Sequence, residues 1–128
     1  MSVSFEDFLE SAEELLKNTD SKEIDFRNLI SRSYYAMFHL SIEVAQQLPP
    51  IANKDKNYGS HEAIFVKFEY SANKDIQQLA EMMYKRKNNR VRADYYLNET
   101  INRLEAARHF YAIKAIIKKL QQAKERLE

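Results

Sequence analysis

The chain has 128 residues, 20 Lys and Arg against 19 Asp and Glu, one glycine, two prolines and no cysteine or tryptophan. That length suits a single domain over residues 1–128, and the net charge of +1 excludes a global field that would draw in nucleic acid, so any such binding needs a local patch. The lack of cysteine excludes disulfides, thiolate nucleophiles and thiolate zinc sites, and the scarcity of Gly and Pro beside abundant Leu, Ala, Glu, Lys and Ile predicts an all-α fold.

Phe5, Phe8, Leu9, Ala12, Leu15 and Leu16 recur at steps of three and four and predict a first helix from about Val3 to Asn18. This N-terminal segment is acidic and amphipathic, and nowhere does the chain approach the roughly 18 uninterrupted apolar residues of a membrane span. A cytoplasmic protein with no membrane partner is expected. Asp20-Ser21-Lys22-Glu23 has the pattern of a capping box and opens a second helix reaching about Leu48, where Pro49-Pro50 stops it. Ile51 to Tyr58 reads as a polar loop bounded by the sole glycine. Ser60 is placed to cap a third helix and Asn73 a fourth. Asn88 to Tyr96 reads as a break, after which Asn98 or Thr100 starts a final helix extending almost to Glu128. These elements predict an up-and-down bundle of four to five helices.

Several stretches could carry chemistry. Arg32, Tyr35 and His39 follow one another at three and four residues on helix two and can share one face; alternatively, the aromatics are boundary residues whose polar tips each find a partner. The histidines, His39, His61 and His109, lie on three different predicted helices without metal-ligand spacing, so no metal and no cofactor are expected. Arg103 and His109, six apart, fall on different sides of a helix and do not form a motif.

Two basic clusters stand out. Lys114, Lys118, Lys119 and Lys124 suit a solvated helix face. Lys85, Arg86, Lys87, Arg90 and Arg92 run into Asp94, Tyr95 and Tyr96, and this combination suits phosphate: guanidinium forks match its oxygens, tyrosines stack on unpaired bases, and a carboxylate orients an arginine or handles a proton. The competing reading has Asp94 paired with Arg90 or Arg92 and Tyr95 filling a gap between helices.

Arg32-Ser33-Tyr34-Tyr35-Ala36-Met37-Phe38-His39, then Ser60-His61, then Arg90-Val91-Arg92-Ala93-Asp94-Tyr95, in that order, resemble a small branch of the HEPN superfamily of prokaryotic helical domains, over nearly the whole chain. The resemblance implies a HEPN-like bundle that forms a two-fold homodimer with functional residues along the interface cleft. It further implies a metal-independent ribonuclease toxin or antiviral effector, often paired with a nucleotidyltransferase-like antitoxin. The family motif is an arginine followed a few residues later by a histidine; this chain offers Asp94 there, at shorter spacing. The expected catalytic set is Arg90, Arg92 and Asp94, with Tyr95, Arg32, Tyr35 and His39 contacting RNA or a nucleotide phosphate. The alternative is a non-catalytic dimeric interaction module with a degenerate motif.

Overall fold

The computed structural model describes residues 2–51 and 58–128, and these form an all-α bundle of five helices. In chain order they are α1 (Phe5–Lys17), α2 (Glu23–Ala45), α3 (Ser60–Glu69), α4 (Lys74–Tyr95) and α5 (Arg103–Leu127). None is long and apolar enough to cross a membrane, among the described residues. The expected loop from Ile51 to Tyr58 lies, apart from its two ends, outside the described residues.

Each boundary has a local cause. The Asp7 carboxylate accepts from the Ser4 N–H at 2.8 Å and opens α1. The expected cap at Asp20 is displaced: Lys22 is the N-cap of α2, and Asp25, not Glu23, accepts from its N–H at 2.8 Å. Glu23 is thereby free for a distant partner. The second helix ends at Ala45, earlier than Leu48, because Gln47 and Leu48 donate to Val44 and Ala45 in a tightened turn before Pro49. Gly59, not Ser60, is the N-cap of α3. Asn73 caps α4, accepting from Asp75 and Ile76, and Asn102, beyond both expected starts, caps α5 through the Glu105 N–H at 2.9 Å.

The largest departure concerns Asn88 to Tyr96. No break occurs there; α4 runs through Tyr95, and only 96–102 connects it to α5. Lys, Arg and Ala are good helix formers, and no Gly or Pro interrupts them.

Helix α2 lies at the centre and touches all four others. Tyr34, Met37, Leu40 and Val44 from α2 join Phe65 and Phe68 of α3, Leu79 and Met83 of α4, and Ile113, Ile117 and Leu120 of α5 in the main core. A smaller cluster at the other end joins Ala12, Leu29, Ile30, Ala93, Ile101, Ala106 and Phe110. Each fully buried Leu, Ile or Phe contributes about 1.5–3 kcal/mol.

One buried group in α2 is an arginine. Arg27 is 6% exposed and sends its guanidinium into the end of α4, donating to the carbonyls of Ala93 at 2.9 Å, Tyr96 at 3.2 Å and Glu99. Glu23, one turn earlier, accepts from the Ile101 N–H at 2.7 Å. Arg27 replaces the glycine cap that α4 lacks by satisfying carbonyls that a helix end leaves without partners, while Glu23 takes up an N–H of the connection. The α4–α5 connection is thus clamped to the start of α2.

Candidate functional site

Three helices bring side chains together around Arg90. Its guanidinium carbon lies 5.6 Å from the Tyr34 ring centre, 5.7 Å from Tyr35 and 6.0 Å from Tyr95, so the cation sits among three aromatic faces. The side chain is 12% exposed, and its one ion pair among the described residues is to Asp94 at 3.2 Å, a turn along α4. Arg90 Nε is buried without a hydrogen-bond partner among the described residues. An arginine confined in this way has donor capacity that the protein leaves unused.

Beside it lies a pair that the sequence did not reveal. Tyr34, fully buried, and His61, at the start of α3, meet through the phenol oxygen and Nδ1 at 2.6 Å. The His61 ring also stacks on Phe38 with centres 4.1 Å apart. Burial pushes the Tyr34 phenol well above its ordinary value, so it keeps its proton. Burial lowers His61 below 6.5, and the nearby charges of Arg90 and Lys87 lower it further. At neutral pH the imidazole is therefore uncharged, and the Tyr34 O–H donates to Nδ1, which leaves the proton of the ring on Nε2. In the other neutral tautomer the ring proton sits on Nδ1 and is donated to the Tyr34 oxygen, and the unprotonated Nε2 is then a base.

The other expected residues go elsewhere. Arg92 is committed internally: Nε donates to Glu99 at 2.7 Å, Nη1 to Glu105 at 2.5 Å and Nη2 to the Thr100 carbonyl at 3.2 Å. Arg92 thus braces α4 against the connection and α5. Arg32 and His39 do share a face, but it is the one toward α1: Arg32 donates to Ser11 at 2.8 Å, and the His39 ring packs 5.1 Å from Phe8. Of the α2 trio only Tyr35 reaches Arg90. Asp94 is exposed and Tyr95 is 68% exposed, so both border the recess from the solvent side. Among the described residues no three His, Asp or Glu side chains gather closely enough to hold a metal ion.

His109 belongs to the core. It is 1% exposed, with Nε2 donating to the Ile30 carbonyl at 3.1 Å and Nδ1 facing the Asn89 amide at 3.4 Å. Burial, with Arg86 adding to it, pushes its pKa down to about 3. The folded value lies below that of an unfolded histidine, so the unfolded chain alone takes up this proton as pH falls below about 6.5. Stability is expected to fall by up to about 1.4 kcal/mol per pH unit from this group between pH 6.5 and 5.0, above the range where ordinary carboxylates protonate. Thermal unfolding of the parent and of His109→Gln over that interval checks it: equal slopes would show that His109 is not the proton-linked group.

Comparison of the chain with family models, with curated proteins and with solved structures returned no match.

Proposed function

We propose that this chain is a HEPN-like domain that binds the phosphate backbone of RNA at the Arg90 recess and cleaves it without a metal. The observation that supports this most is the coincidence of Arg90, whose Nε lacks a partner, with the neutral His61–Tyr34 pair and exposed Tyr95. Arg90 supplies charge to the phosphate, and it gains most as negative charge develops on the phosphorane. Tyr95 and Tyr35 offer ring faces to a flanking base.

In the cleavage step the 2′-oxygen of the ribose bonds to phosphorus while the bond from phosphorus to the 5′-oxygen breaks. The step starts from the neutral tautomer whose ring proton sits on Nδ1 and is donated to the Tyr34 oxygen. The unprotonated Nε2 of His61 takes the 2′-hydroxyl proton, and the resulting imidazolium gives a proton up to the hydroxide left when water protonates the 5′-oxygen. The departing 5′-oxygen takes a proton from water, which leaves a 2′,3′-cyclic phosphate and a 5′-hydroxyl. The resemblance adds a homodimer and a nucleotidyltransferase-like antitoxin partner to this proposal, with a cytoplasmic toxin or antiviral role.

The test is incubation of the purified chain with single-stranded RNA in the presence of chelator, with end-group analysis. Cleavage should yield cyclic phosphate ends, should spare DNA and should be lost toward acid pH with a midpoint below that of an ordinary histidine, because His61 is a base only when neutral. His61→Gln should keep binding and lose cleavage. Binding without cleavage in the parent would favour the second reading, a non-catalytic interaction module. The internal ion pairs of Arg92 favour that reading for their part of the motif.

A further inference from the structure

A second recess, of about 240 Å³, lies between α4 and α5 and is floored by His109. Its walls carry the guanidiniums of Arg86, Arg92 and Arg108 and the amide of Asn89 against one carboxylate, Glu105. Glu105 is already held by Arg92 at 2.5 Å, so the pair largely cancels. Arg86 and Arg108 form no ion pair and no hydrogen bond among the described residues. Arg86 is only partly exposed, and burial lowers its pKa from the ordinary arginine value. Two charged forks thus face one small recess with their donors unmatched by protein acceptors, an arrangement that an oxyanion would complete.

The size narrows the ligand. Pockets for whole drug-sized molecules run roughly 300–1,000 Å³, so this recess takes a group rather than an entire nucleotide. A phosphate monoester, carrying about two negative charges near neutrality, matches two unmatched arginines better than a single carboxylate does. The neutral His109 beneath leaves the arginine charges uncompensated, and its Nδ1 lies 3.4 Å from the Asn89 amide.

We infer that the Arg86–Asn89–Arg108 recess is a phosphate-binding site separate from the Arg90 recess. It does not rest on the proposed cleavage chemistry, since none of its residues takes part in that step.

The test is a titration of isotopically labelled full chain with inorganic phosphate at pH 7, at constant ionic strength set by chloride, read by amide resonances. Saturable shifts are expected at Asn89 and around residues 86 and 105–109, weakened at least tenfold in Arg86→Gln and unchanged in Arg90→Met. Arg108→Gln, at an exposed position, serves as a second variant that leaves the core alone and should weaken binding similarly. Parallel titrations with a short single-stranded RNA bearing a 5′-phosphate and with its 5′-hydroxyl counterpart separate the sources. A response confined to the phosphorylated strand identifies a terminal phosphate, and equal responses identify backbone phosphates. Shifts that grow linearly without saturating, or affinities that neither Arg86→Gln nor Arg108→Gln changes, would overturn the assignment. Loss of binding in Arg90→Met alone would do so too, by moving phosphate to the first recess.

Discussion

Arg27→Met is expected to lower the stability of the fold by about 3 kcal/mol, because the buried Ala93 carbonyl left without a donor costs about 1–3 kcal/mol and the part-buried bonds to the carbonyls of Arg92, Tyr96 and Glu99 add smaller losses. For a chain of this size that corresponds to a fall in melting temperature of roughly 10 °C. Arg27→Lys should recover little of it. A lysine keeps the charge, but its ammonium is a compact donor without the planar fork that reaches Ala93, Tyr96 and Glu99 together. Hydrogen exchange at the Ile101 amide, which donates to Glu23, should accelerate in both variants as the α4–α5 connection loosens. Melting curves followed by circular dichroism decide the matter. A lysine variant as stable as the parent would mean that charge alone, not the forked geometry, holds the end of α4.

Arg90→Met is expected to behave in the opposite way, losing RNA binding by at least tenfold with little change in stability. The balance of magnitudes explains the second half. Removing the guanidinium forfeits a partly exposed pair with Asp94, worth about 0.3–0.5 kcal/mol, and contacts with aromatic faces worth about 0.5–2 kcal/mol. It also removes a buried donor that lacks a partner, which relieves about 1–3 kcal/mol, and methionine refills the space between the rings. The terms nearly cancel. Arg92→Ala supplies the contrast: it leaves Glu99 and Glu105 facing one another without their shared cation and should lower the melting temperature by several degrees. Binding by filter or anisotropy assay, measured beside melting on both variants, separates the roles. Retention of RNA binding in Arg90→Met would remove the Arg90 recess from the proposed function, and a large stability loss would show that Arg90 is a brace like Arg92.

Neighbouring residues in a motif can thus have unlike destinies. Arg90 and Arg92 sit two positions apart on one helix, so their side chains point about 200° apart around its axis. One turns toward α2 and α3 and meets aromatic rings, and the other turns toward α5 and meets carboxylates. Spacing tells that they diverge but not what each one meets.

Much of the bundle could be read locally. The three- and four-residue recurrence of Phe5, Phe8, Leu9 and Ala12 and the Asn73 cap are signals carried within a few residues, and α1 and the start of α4 form where they point. The site was legible only as residue types: Arg90, Asp94 and Tyr95 stood out in a stretch that reads as a break, Tyr35 was visible as a polar-tipped aromatic, and only the continuous α4 sets the first three at i, i+4 and i+5 on one helix. Where α4 ends was not legible, because its carbonyls are capped by Arg27 from 66 residues away. The partnership of Tyr34 with His61 crosses 27 residues and two helices, and Arg32 and His39 share the predicted face yet are claimed by α1. Residue order alone determined which segments coil and which of their faces are apolar, since both follow from backbone propensity and helical period. Only the packing of five helices decided which polar groups are consumed as mutual partners and which are left unmatched, because hydrogen bonds and ion pairs depend on proximity in space, and the chain brings distant residues together only once it has folded.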